Sequence, residues 1–179
     1  MLATSVALSR AEAQTTPAFT LTSSDVQQGR MLSSAQVFSG MGCTGRNVSP
    51  ALAWQGAPTG TKSFAVTMYD PDAPTGSGWW HWVLYNIRPT VTSLPAGAGE
   101  AGKAHLADGA AQGNTDFGIP GYGGACPPPG DPPHHYHITI YALDVDTLDV
   151  PAGATAAYVG FNLHAHQLAK ADLTALYGR

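Results

Sequence analysis

The sequence predicts a mainly β domain with one or two helices at its periphery, and three observations carry that prediction. Of 179 residues only 11% are charged, while 21 are glycine and 14 proline, a composition of short strands and structured loops. Apolar residues alternate with period two in Ser63–Tyr69, where Phe64, Val66 and Met68 fall on one face. Helix-compatible spacing is confined to Pro151 to about His166. The length fits one domain with a core of its own.

Taken in order, Phe19–Thr22 and Leu52–Gln55 read as short strands. Ser63–Tyr69 is a longer one, stopped by Asp70-Pro71 because proline cannot donate to a ladder. Trp80–Ile87 is the next strand. Gly118–Pro133 (GIPGYGGACPPPGDPP) can be neither helix nor central strand, and is expected to form a rigid, exposed loop of the kind that carries functional groups. His135–Val145 is a long strand rich in Tyr, Ile and Thr. In the helix that follows, Ala157, Val159, Leu163 and His164 are expected to face inward, and Leu173–Tyr177 closes the chain as a short strand.

The formal net charge is −4 and no run of Lys or Arg occurs, so there is no basic face to release counterions from nucleic acid. No stretch reaches the roughly 18 apolar residues of a bilayer-spanning helix. Leu2–Leu8 followed by Ala11-Glu12-Ala13 resembles the end of a secretory signal, without a basic n-region. Residues 1–17 are therefore read as a signal remnant of a periplasmic or secreted protein, with a disordered cytoplasmic tail as the alternative. Cys43 and Cys126 are the only cysteines; export would suit a disulfide between them, a cytosolic setting two free thiols.

The chemistry gathers at three strand ends. Strand alternation puts His81 on one face with Trp79, Val83 and Tyr85, and Trp80 and Trp82 on the other. His134 and Tyr136 share a face in the same way, and Asp70 and Asp72 sit where a strand breaks into a turn. If these ends are neighbours, two aspartates, two histidines and a tyrosine surround one pocket walled by the proline-rich loop. A carboxylate beside a histidine favours the imidazolium, which would donate to an anion together with the Tyr136 hydroxyl. Backbone N–H groups of Gly121–Cys126 could converge as a nest. Structural readings stand beside these: Asp-Pro-Asp-Ala-Pro is a good turn, and tryptophans commonly fill cores.

Asp70-Pro71-Asp72-Ala73-Pro74, followed by Gly78-Trp79-Trp80-His81-Trp82 and Asn86, resembles the first signature of the phosphatidylethanolamine-binding protein (PEBP) family. Gly121 to Gly130 (GYGGACPPPG), then His134-His135-Tyr136, resembles its second. Gly42 to Pro50 (GCTGRNVSP), Leu168-Ala169-Lys170-Ala171 and Tyr177-Gly178-Arg179 look like its bacterial Raf-kinase-inhibitor-like branch. The resemblance spans residues 18–179. It implies a β-sandwich of a large and a small antiparallel sheet with peripheral helices. It also implies an anion pocket on Asp70, Asp72, His81, Gly124, Cys126, Pro127, His134 and Tyr136, with Trp79 at the edge. His135 stands where relatives often carry a basic residue, which leaves this rim less basic.

The expected function is a non-catalytic module, needing no cofactor, that binds a small phosphorylated or carboxylated ligand and acts as regulator or inhibitor of a protein partner. Two alternatives remain open. One is a metal-assisted hydrolase built on Asp70, Asp72, His81 and His134. The other is a protein-interaction inhibitor whose pocket is vestigial. A homodimer is open to this branch, although the sequence names no interface.

Overall fold

The computed structural model of the chain describes residues 18–101 and 109–179. The N-terminal segment 1–17, read above as signal remnant or tail, lies outside the described residues.

The three longer strands predicted from the sequence form the centre of the fold. β5 (Ser63–Asp70) lies between β6 (Trp79–Ile87) and β9 (His134–Leu143), antiparallel to both. β8 (Ala111–Gln112) and β10 (Gln167–Tyr177) complete a five-stranded sheet in the order β10-β9-β5-β6-β8. A smaller antiparallel sheet is made of β1 (Thr20–Thr22), β4 (Leu52–Gln55) and β7 (Ser93–Leu94), in the order β1-β4-β7. β2 (Ser39–Gly40) and β3 (Cys43–Thr44) form a separate hairpin. The main core lies between the two sheets, where Val66, Met68, Ile138 and Ile140 of the large sheet meet Leu21, Leu52, Trp54 and Leu94 of the small one. This is the expected sandwich of a large and a small sheet.

The opposite face of the large sheet packs under α1 (Ala156–His166). Thr155 caps the helix, its hydroxyl accepting from the Tyr158 N–H at 3.2 Å. Ala156, Val159 and Leu163 are buried against Ala65, Val83 and Leu143. Ala157 and His164, expected to face inward, are exposed. The inner stripe runs through 156, 159 and 163 instead, because capping at Thr155 sets the helix phase.

Two further expectations are corrected. The final strand is 11 residues long rather than five, pairing along β9 from Gln167 to Tyr177 with a register shift between Gln167 and Ala169. Its first half, QLAKAD, lies at the sheet edge and carries only the small apolar residue Ala171 against the core, so no apolar alternation marked it as a strand. The segment 118–133 is not exposed throughout: Gly121–Ala125 are buried, between exposed stretches at Gly118–Pro120 and Pro128–Gly130.

Candidate functional site

Because β5 is central, its C-terminal end brings three sequence-distant segments together. Asp70 pairs with Trp79 at the start of β6, and Tyr69 pairs with His137 near the start of β9. Strict alternation does not survive here. Met68 pairs with Trp82 while Tyr69 pairs with Trp80, so His81 is an inserted residue, a β-bulge in β6. The bulge reverses the parity predicted for this strand. Trp80 packs with the Val83 and Tyr85 cluster under α1, whereas Trp82 belongs to the inter-sheet core. His81 leaves the Val83–Tyr85 face and lies edge-on to Tyr136, with ring centroids 5.2 Å apart.

Beside His81 is a cavity of about 260 Å³. Its polar lining is Asp70, Thr75, His81, His134 and Arg179, and its walls are Met41, Ala73, Pro74, Trp79, Phe117, Cys126, Pro127 and Pro128. Phe117 packs edge-on against both Trp79 and His81, with centroid separations of 5.4 and 5.5 Å. Of the predicted site residues, Asp70, Trp79, His81, Cys126, Pro127 and His134 thus line one cavity. Tyr136 stands behind His81, Gly124 lies within the loop without lining the cavity, and Asp72 is outside.

Asp70 is 2% exposed and fully engaged. Its Oδ1 accepts the N–H groups of Asp72 and Ala73 at 2.9 and 3.1 Å, the Asx-turn that Asp-Pro-Asp-Ala predicts. Its Oδ2 lies 2.8 Å from His134 Nδ1, whose other nitrogen is 3.5 Å from Asp131 Oδ2. Asp70 therefore orients His134. Asp72 turns outward, its Oδ2 accepting from the His135 backbone N–H and lying 2.7 Å from His135 Nδ1. The His135 backbone N–H holds the Asp72 carboxyl below its ordinary range, against a smaller opposing effect of burial.

His81 is held differently. Its Nδ1 lies 2.8 Å from the Gly123 carbonyl and 3.2 Å from that of Gly124, so Nδ1 carries the hydrogen. Burial pushes the His81 pKa down, outweighing the two carbonyls and Asp70, which favour the charged ring. The expected imidazolium donor is therefore, at this position, a neutral ring whose Nε2 is an acceptor. Nε2 is 4.0 Å from Asp70 Oδ2 and has no hydrogen-bond partner among the described residues. The Tyr136 hydroxyl, fully buried beside Asp70, also makes no hydrogen bond among them. Burial raises its pKa first, and the Asp70 charge raises it further.

The glycine-rich loop does not form the expected nest. The N–H groups of Tyr122, Gly123, Gly124 and Ala125 donate to Gly99 O, His81 O, Asn47 Oδ1 and Gln36 O. A Cβ on Gly124 would sit 2.4 Å from the Gln36 carbonyl oxygen, so glycine permits a close backbone approach there. The loop faces His81 with carbonyls rather than an anion with amides.

A disulfide joins Cys43 of β3 to Cys126, tying the β2–β3 hairpin to the cavity wall. Arg179 was legible only as part of a terminal motif. Its Nε donates to Pro127 O at 2.7 Å and its Nη1 to Gly42 O at 2.9 Å, placing a permanent cation in the lining. Phe117 and Met41 also escaped sequence reading, since neither lies in a chemical motif. Among the described residues no group of three or more His, Cys, Asp or Glu is placed to hold a metal ion, and no helix is long and apolar enough to cross a membrane.

The sequence model of the family described as phosphatidylethanolamine-binding protein matches residues 22–178. The chain is similar to two Escherichia coli K12 proteins, each 52% identical: YbcL over 160 residues (89% of this chain, 87% of YbcL) and YbhB over 157 residues (88% and 98%). Its fold is similar to the crystal structure of E. coli YbcL, described as a new member of the mammalian PEBP family, with a TM-score of 0.88 covering 90% of this chain and 98% of that one. It is also similar to the PEBP homologue CT736 of Chlamydia trachomatis, at 32% identity and a TM-score of 0.75, again covering 90% and 98%.

Proposed function

The chain belongs to the phosphatidylethanolamine-binding protein family, and from that premise we propose that it is a non-catalytic binding protein whose β5–β6–β9 cavity captures a small phosphorylated or carboxylated ligand. One observation carries this reading: His81 Nε2 lines the cavity, is buried, and has no hydrogen-bond partner among the described residues. A buried polar atom without a partner costs about 1–3 kcal/mol, a cost a bound ligand relieves. Arg179 supplies the charge complement for an anion, and apolar walls limit access by water.

The arrangement supports capture better than hydrolysis. Asp70 is committed to the N–H groups of Asp72 and Ala73 and to His134 Nδ1, and His134 Nε2 faces Asp131 at 3.5 Å, so both side chains are held by the protein's own groups rather than left free for a reacting substrate. The loop around Cys126 and the hairpin apex at Met41 border the cavity mouth, where a partner protein could sense occupancy. The Cys43–Cys126 disulfide supports an exported, oxidising location.

The test is a titration of the histidine ring NMR signals with inorganic phosphate and phosphoethanolamine. Saturable shifts of His81 and His134, with no turnover of phosphoethanolamine, are the expected result. Silent ring signals at millimolar ligand would remove the reading.

A further inference from the structure

We infer that the cavity selects phosphomonoesters and takes them with one proton, the ligand's P–O–H donating to His81 Nε2. This rests on the anion-site reading above and narrows its ligand class.

The geometry fixes the hydrogen-bonding sense of the ring. The carbonyls of Gly123 and Gly124 commit the Nδ1 hydrogen, and the Gly124 N–H donates to Asn47, which anchors that carbonyl pair. His81 is 3% exposed, so a neutral ring is favoured and Nε2 presents a lone pair to the cavity. An anion oxygen without a hydrogen would meet that lone pair directly, with Asp70 Oδ2 only 4.0 Å from the same nitrogen. Such an anion binds well only if the ring takes up a proton. A ligand that brings its own hydrogen avoids that step.

The chemistry of candidate ligands then separates them. A phosphomonoester has a second pKa of about 6, so near that pH about half of it is a monoanion with a P–O–H group. A phosphodiester or sulfate has no such hydrogen near neutral pH, and a carboxylate with a pKa of about 4 has almost none. The charged and titratable groups around the ring are Asp70 from β5, Asp116 from the loop after β8, His134 and Tyr136 from β9, and Arg179. The Asp70 and Asp116 carboxylates oppose a second negative charge on the ligand. Arg179 balances the first one and remains charged at all working pH values.

The experiment compares methyl phosphate, dimethyl phosphate and sulfate by calorimetry on the full chain at about pH 6, then follows methyl phosphate upward in pH. Methyl phosphate should bind at least about tenfold more tightly than either fixed anion, and its affinity should fall about tenfold per pH unit above its own second pKa. In His81→Asn, whose amide can still donate to the Gly123 carbonyl but lacks the Nε2 acceptor, the preference should shrink to about threefold or less. Equal saturable binding of all three anions by the wild-type chain, or methyl phosphate affinity that rises with pH, would overturn this inference and leave the anion site standing. Failure of every anion to bind would overturn both.

Discussion

Gly124→Ala tests how the loop builds the site. The added Cβ would lie 2.4 Å from Gln36 O, 2.5 Å from Phe38 N and 2.6 Å from Val37 C, all backbone atoms that no rotamer change can clear. The loop must retreat from the 36–38 segment. That puts at risk the Phe38 N–H to Ala125 O bond (3.0 Å), the Ala125 N–H to Gln36 O bond (3.2 Å) and the Gly124 N–H to Asn47 Oδ1 bond (2.7 Å). At about 1 kcal/mol net for each, the loss is about 3 kcal/mol, or roughly 6–12 °C in Tm for a chain of this size. The same retreat withdraws the carbonyls that hold His81 Nδ1, so anion affinity should fall with stability. Urea denaturation gives the first quantity and calorimetry with phosphoethanolamine the second. Gly76→Ala is the control: Gly76 has φ +78° with nothing within 4 Å of its added Cβ, so only backbone strain of about 1 kcal/mol is expected. A Gly124→Ala chain as stable as the control and with unchanged affinity would refute the close-approach argument.

Tyr136→Phe removes a buried hydroxyl without a hydrogen bond among the described residues, and should raise stability by about 1 kcal/mol. A loss of similar size in the denaturation curve would show that the hydroxyl has a structural partner. The depressed pKa of His81 makes stability pH-dependent with a definite sign. Between its folded value and the unfolded value of about 6.5 the unfolded chain binds the extra proton. Unfolding free energy should therefore be flat above about pH 6.5 and fall as pH drops below it, by up to about 1.4 kcal/mol per unit from this group. Thermal melts of His81→Phe should lack that part of the slope. Reducing the Cys43–Cys126 bond, which closes a separation of 83 residues, should lower stability by about 4.5 kcal/mol on the chain-entropy account and loosen the cavity wall, both measurable in melts with and without dithiothreitol.

The sandwich and the convergence of Asp70, His81 and His134 on one cavity were legible because their signals are local. Alternation in Ser63–Tyr69 marked the central strand, and Asp70-Pro71 marked its end together with the turn that engages the Asp70 carboxylate. What failed depends on residues distant in sequence. Period-two alternation cannot reveal an inserted residue, so the bulge at His81 separates His81 from Val83 and Tyr85, and Trp80 from Trp82, although Trp82 lies opposite Val83 and Tyr85 as expected. The glycine loop looked like a donor nest because its composition permits one. Whether its amides are available depends on Gln36, Asn47, His81 and Gly99, and each of these accepts one of them. The charge state expected of His81 failed similarly: a nearby carboxylate was legible, whereas the depth of burial that outweighs it was not. Asp72 shares the Asp-Pro-Asp turn with Asp70, yet one carboxylate faces the cavity and the other binds His135 on the surface.

The most direct test of the anion-site account is a crystal structure of the chain soaked with phosphoethanolamine. A phosphate oxygen is expected within about 3 Å of His81 Nε2, with the loop carbonyls still on Nδ1. A fully occupied ligand elsewhere on the molecule, leaving His81 Nε2 without a contact, would contradict it.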